Sequence, residues 1–131
     1  MASRIPRNVA IILDGNRRYG RKIGLNPWKG HEFGTKRVEE LINWCIELGI
    51  KELTLYSFSV DNFKRPDIEK KVLLSLFKDN IRKLQKDERV SKHGVKVNFI
   101  GRLAMFPKDM QNEMADLTEK TRKNGKFKLN F

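Results

Sequence analysis

The residues best equipped for chemistry sit in one stretch near the start of the chain, "NVAIILDGNRRYG", Asn8 to Gly20. An apolar run leads directly into Asp14, Gly15, Asn16, Arg17 and Arg18. Paired guanidiniums grip phosphate bidentately, and backbone N–H groups at a following helix start add further donors. Gly15 lets the backbone approach a ligand closely. Asp14 is a hard oxygen ligand suited to Mg²⁺, an ion often held by one or two carboxylates together with substrate phosphate oxygens. Combined, these groups make a magnesium–diphosphate site. A capping turn in which Asp14 pairs with Arg17 or Arg18 accounts for the same string, so the stretch alone leaves both readings open.

A second polar segment, "FSVDNFKRP", runs from Phe58 to Pro66. Ser59 and Asn62 are short polar groups, Phe63 is an aromatic outside any core periodicity, and Arg65 is another anion donor. An Asx-type turn leading into a helix at Pro66 is the structural alternative. His31, in "KGHEFG", is placed just before a helix and between two glycines; beside a phosphate it would donate to the anion or shuttle a proton. His93, in "SKHGV", has a polar setting before a strand and reads as surface. Other site types are missing: "GHEFGTK" has the wrong spacing for a P-loop, and there is no G-x-G-x-x-G, G-x-S-x-G or Cys/His metal cluster.

These segments need elements to hold them. Four short apolar runs read as strands, Val9–Leu13, Leu53–Phe58, Val95–Ile100 and Phe127–Phe131. Helical patterns lie between. Val38, Leu41, Ile42, Cys45 and Leu48 mark the first, with Gly49 placed to cap it. Ile68, Val72, Leu76, Ile81 and Leu84 mark a longer helix from Pro66. Met110, Met114 and Leu117 mark a third that starts near Pro107 and ends at Asn124–Gly125. Alternating strands and helices predict an α/β fold, a mainly parallel sheet flanked by helices. In such sheets ligands bind at the carboxyl ends of the strands. Both polar segments should then open on one edge, together with Gly101–Arg102. The fourth strand ends at the last residue and is expected to leave its sheet neighbours uncovered.

The chain has 131 residues, one domain by length, and a hydrophobic content of 39% supports a core. No segment reaches the roughly 18 consecutive apolar residues of a membrane span. "MASRIPRN" lacks the apolar stretch of a signal peptide, so a cytoplasmic location is expected. Its one cysteine, Cys45, reads as a small core residue in a reducing compartment. With 28 basic and 16 acidic residues the net charge is +12, which favours anionic partners: nucleic acid, an anionic membrane surface or phosphorylated metabolites. Trp28, Trp44 and Phe63 form no stacking platform, which argues against nucleic acid.

The sequence resembles the cis-prenyltransferases, the family of undecaprenyl and dehydrodolichyl diphosphate synthases. The resemblance rests on "AIILDGNRRYG", "KGHEFG", "LGIKELTLYSFSVDNFKRP", "HGVKVNFIG" and "NGKFKLNF", in the family's order and from Ile5 onward. It implies that Asp14 is the essential acid that binds Mg²⁺. Gly15, Asn16, Arg17 and Arg18 would wrap the diphosphate of an allylic primer, with Tyr19 in place of the usual tryptophan. His31 would contact that diphosphate. Ser59, Val60 and Asp61 would belong to the substrate-binding part of the second loop, Asn62 to proton transfer, and Phe63 and Arg65 to its aromatic and diphosphate-binding positions.

The implied reaction condenses isopentenyl diphosphate with a farnesyl or geranylgeranyl primer, the product growing along apolar faces of the two long helices. The implied assembly is a homodimer, with peripheral membrane contact through the lipid product. Two departures stand out. Pro27 occupies a position where many members carry an arginine. The family's later segments, which grip isopentenyl diphosphate, complete the metal site and build the dimer, would lie beyond Phe131. Residues 1–131 are therefore expected to be the N-terminal part of a single catalytic domain, incomplete at its C-terminus. A non-catalytic partner subunit that binds polyprenyl diphosphate and, further off, a basic nucleic-acid-binding domain are the other readings.

Overall fold

Strict alternation of apolar and polar residues, as in "ELTLY", buries one face of a strand and leaves the other free. The computed structural model describes residues 4–13, 16–24, 30–57 and 64–131, with backbone alone at 16, 17 and 30–34. Its strands are β1 (Asn8–Ile12), β2 (Glu52–Tyr56), β3 (Val95–Asn98) and β4 (Phe127–Asn130). All pair in parallel, in the order β1-β2-β4-β3. Each ends sooner than its apolar run. The ladder nevertheless continues in single bonds, Leu13 N–H to Tyr56 O (3.5 Å), Ile100 N–H to Phe131 O (2.8 Å) and Phe131 N–H to Asn98 O (2.9 Å). Phe58, expected to close the second strand, lies outside the described residues.

The strand order corrects one expectation. β4 is an inner strand, covered by β2 on one side and β3 on the other, and the edges are β1 and β3. Local sequence pattern carries no information on this order, because a right-handed crossover can return a strand to either position.

Register aligns Val9, Leu53, Leu129 and Val97 across the sheet, with Ile11 beside Leu55 and Phe127 beside Val95. These residues form one core with the helices: Leu41, Ile42 and Cys45 of α2 (Gly30–Glu47), Leu74, Phe77 and Ile81 of α3 (Asp67–Lys86), and Met110, Met114 and Leu117 of α5 (Lys108–Thr121). Burial raises the Cys45 thiol pKa, consistent with an inert core cysteine. The opposite face carries Asn8, Ala10, Ile12, Glu52, Thr54 and Tyr56. Ile12 and Tyr56 sit side by side there, 74% and 59% exposed. No helix among the described residues is long and apolar enough to cross a membrane.

The helices differ from expectation in detail. α2 ends as foreseen: Ile50 N–H reaches Cys45 O (3.0 Å), Gly49 N–H reaches Ile46 O (3.2 Å), and Gly49 takes a φ of +80°. Leu48, however, is exposed in that turn, and Ile46 packs against the core instead. In α3 the core side is Leu74, Phe77, Ile81 and Leu84, whereas Ile68 is 62% exposed. The short helix α4 (Glu88–Lys92) was not anticipated, nor was the 3₁₀ turn Leu103–Met105, and α1 (Asn16–Lys22), a helix start expected to follow the first polar stretch, opens within it. Asp87 caps α4, its Oδ1 accepting from Arg89 N–H at 2.9 Å, and the hydrogen-bonded Arg89 guanidinium lowers the Asp87 pKa.

Phe77 ties α3 to the carboxyl ends of β3 and β4. Its ring lies 6.2 Å from Phe99, 5.6 Å from Phe106 and 6.1 Å from Phe131, centroid to centroid. α3 is also bound to α5 by Lys78 with Asp109, by Arg82 Nε with Glu113 Oε1 (3.0 Å), and by Gln85 Nε2 donating to Glu113 O (3.1 Å).

The outer edge of β3 is closed from the end of α5. Val97 N–H donates to Thr121 Oγ1 at 3.0 Å, and Asn124 Nδ2 donates to Val95 O at 2.8 Å. Thr121 is fully buried, so Thr121→Val keeps the shape and strands the Val97 N–H without a partner. Stability of the protein in denaturant is expected to fall by about 1–3 kcal/mol, the cost of a buried donor left unmet. An unchanged unfolding midpoint would show that the hydroxyl carries no weight.

Candidate functional site

The two polar segments leave the sheet from neighbouring strands. Ile12 pairs with Tyr56 at the carboxyl ends of β1 and β2, so Leu13 and Ser57 exit side by side on one edge. Asp14 and Gly15 follow the first exit directly, and Ser59, Val60, Asp61, Asn62 and Phe63 lie just beyond the second. All seven fall outside the described residues.

What flanks them is described. α1 opens at Asn16, so Asn16, Arg17 and Arg18 form its first turn where a loop was expected. Arg18 and Tyr19 are both exposed, and α1 packs on α2. His31 lies inside α2, one residue after its start at Gly30, where a position just ahead of the helix was expected. The side chains of Asn16, Arg17 and His31 are outside the described residues.

Arg65 stands immediately before α3, whose N-cap is Pro66. Its Nη1 donates to Glu69 Oε1 at 3.2 Å; the arginine side chain is 37% exposed and the glutamate 1%. The sequence reading passed over Glu69. The available signal was its spacing, an acid four residues after an arginine across a helix start.

The third loop opens on the same edge as expected, further along the sheet. Gly101 has a φ of +118°, which favours glycine, and Arg102 is exposed. Both follow β3, on the same edge but at the far side of β4. Three strand spacings of about 4.8 Å separate β1 from β3, so this loop begins roughly 14 Å from the first.

A groove of about 440 Å³ runs between α2 and α3, lined by Lys36, Glu39, Asp79, Arg82 and Lys83 with Leu76. Leu41, Ile42 and Cys45 of α2 and Leu74, Phe77 and Ile81 of α3 face the core rather than this groove. Among the described residues no three His, Cys, Asp or Glu gather in a metal-holding group. The carboxylate expected to bind Mg²⁺, Asp14, is outside them. One carboxylate completed by phosphate oxygens is nonetheless a donor set that Mg²⁺ accepts, so the residue type fits the ion.

Parallel strands with polar segments following adjacent carboxyl ends make this edge the candidate ligand site of an α/β protein. Comparison with known proteins narrows that class. The family model described as "Putative undecaprenyl diphosphate synthase" matches residues 12–131, and the chain belongs to this family, the cis-prenyltransferases. It is 45% identical over 127 residues to a geranylgeranyl-diphosphate-specific tritrans,polycis-undecaprenyl-diphosphate synthase of Thermococcus kodakarensis, covering 97% of this chain and 48% of that protein. It is 44% identical to an isoprenyl transferase of Thermus thermophilus, covering 89% and 44%. Among solved structures, lavandulyl diphosphate synthase from Lavandula x intermedia, in complex with dimethylallyl diphosphate, superposes with a TM-score of 0.84 at 25% identity, covering 95% of this chain and 52% of that one. The chain thus spans about half the length of these relatives.

Proposed function

We propose that the protein condenses isopentenyl diphosphate with an allylic diphosphate to give a long-chain polyprenyl diphosphate, and that this chain supplies the allylic-diphosphate site. The observation that carries the reading is the side-by-side exit of the Asp14 and Asn62 segments from β1 and β2. The named specificity of the Thermococcus relative favours geranylgeranyl diphosphate over farnesyl diphosphate as primer. A cytoplasmic homodimer that touches the membrane where its lipid product leaves completes the proposal.

In this reading Gly15, Asn16, Arg17, Arg18 and His31 hold the primer's diphosphate, with Tyr19 beside them. The allylic C–O bond breaks and its electron pair leaves on the diphosphate oxygen, where the guanidiniums stabilise the charge. The alkene of isopentenyl diphosphate forms the new C–C bond at the allylic carbon. A proton then leaves the isopentenyl unit, giving a cis double bond, a lengthened diphosphate and free diphosphate. Asn62 takes part in that proton's departure, while Ser59, Val60, Asp61, Phe63 and Arg65 position the substrates. Mg²⁺, held by Asp14, would neutralise diphosphate charge when bound.

Asp14→Ala in the full-length protein is expected to abolish condensation while leaving the fold intact. No other acid stands in the first segment to replace it. Retention of more than about 5% of isopentenyl incorporation at saturating Mg²⁺ would sink the assignment, since losing an essential electrostatic group costs at least 10²-fold.

Asn62→Ala should lower turnover with little change in primer affinity. A rise in primer KM at unchanged kcat would instead make Asn62 a binding residue.

Residues 1–131 alone should bind the primer weakly and fail to elongate it. Condensation needs two diphosphates held in reacting geometry, worth about 7–11 kcal/mol of the barrier. We assign the donors for the second to the half of such proteins that this chain does not span. Labelled isopentenyl diphosphate, Mg²⁺ and geranylgeranyl diphosphate, given to this chain and to the full-length protein, test the point. Long-chain product from the shorter form would overturn it.

A further inference from the structure

Two neighbouring positions in the first turn of α3 are reversed from ordinary preference. Ile68 is 62% exposed, while Glu69 beside it is 1% exposed. Isoleucine is among the residues most often buried and glutamate among those least often buried, so this helix face is set by something other than hydrophobicity. The helix dipole does not explain it either. Asp67, in the same turn and largely in solvent, already supplies an acid at the N-terminus. A buried carboxylate is costly unless a charged partner meets it, and Arg65 is one such partner here.

We infer that Glu69 is a positioning residue, which from the first turn of α3 holds the Arg65 guanidinium in place for a substrate diphosphate. This rests on the reading of Arg65 as a diphosphate donor. Arginine has five N–H donors in a rigid planar fork, and the bond to Glu69 engages one end at Nη1. The partly exposed remainder is left for an anion. A long flexible side chain fixed at one nitrogen loses less freedom when a ligand arrives, which is how preorganisation raises affinity. Burial keeps solvent from competing for the Glu69 carboxylate.

The test compares the full-length protein with Arg65→Ala, Glu69→Gln and the double variant, measuring kcat and the KM of isopentenyl and geranylgeranyl diphosphates. Arg65→Ala is expected to raise the KM of one diphosphate. Glu69→Gln should raise that same KM by roughly tenfold, the order expected for weakening one charge-assisted contact. The double variant should be no worse than Arg65→Ala alone, because Glu69 acts through the arginine. Glu69→Asp, which keeps the charge but shortens its reach, should recover part of the loss.

If Arg65→Ala raises a KM and Glu69→Gln leaves it unchanged, the positioning inference is overturned and the reading of Arg65 survives. Additive losses in the double variant would also overturn it, by showing that Glu69 acts on its own account. If Arg65→Ala changes neither KM nor kcat, the reading of Arg65 fails and takes the inference with it. Should Glu69→Gln not fold, Glu69→Asp enters the same cycle against Arg65→Ala and decides by the same criteria.

Discussion

Because β1 and β2 pair in parallel with Ile12 beside Tyr56, two segments separated by more than forty positions in sequence begin next to each other. A slip of one residue would turn Leu53 and Leu55 away from the core and move the second exit relative to the first. That slip is costly, since both leucines are fully buried. The same register is pinned at the opposite end, where Lys51 and Glu52 both donate their N–H groups to Arg7 O, at 2.9 and 3.1 Å. Packing against the core therefore fixes the placement of the polar edge, and the charged segments need not organise themselves.

The inner position of β4 adds a second constraint. Lys128 N–H donates to Lys51 O at 2.9 Å, and Asn130 Nδ2 bonds Glu52 Oε1 at 2.8 Å and Thr54 Oγ1 at 3.1 Å. β2 is thus completed on one side by β1 and on the other by residues far along the chain. Such non-local pairing carries a loop-closure cost before its contacts are gained, so formation of the polar edge is tied to closure of the whole sheet. The Phe77 cluster joins α3 to the ends of both β3 and β4, so the helix that carries Glu69 is braced by the same event.

Much of this was legible in the sequence, for identifiable reasons. Val9, Leu53, Val95 and Phe127 begin short apolar runs, and Met110, Met114 and Leu117 repeat at helical spacing, so the elements follow from local pattern. Gly49 after an apolar repeat announces a helix end, and the structure supplies the matching bonds. The sheet order was not legible, because it depends on which long-range pairs form. Nor was the choice between Leu48 and Ile46, or between Ile68 and Leu74. A helical period leaves open which apolar residues reach the core, and tertiary contact decides it. The candidate residue types stand out in "DGNRR" and "NFKRP", while the adjacency of the strand ends that lead to them is set by the pairing of β1 with β2.

Glu69 marks where sequence logic fails, and the failure is informative. Local rules of propensity, burial and charge agree along most of this chain, and where they conflict in natural proteins the conflict tends to fall at a functional site. A carboxylate inside and an isoleucine outside is such a conflict, located at the junction between the second polar segment and the helix braced by Phe77. A rigid helix holds a charge more accurately than a loop does. On the proposal that Arg65 holds a diphosphate, the anchoring acid on α3 and the guanidinium at its threshold transfer the helix's rigidity to the binding side chain. The burial of Glu69 is then a consequence of where Arg65 has to be held.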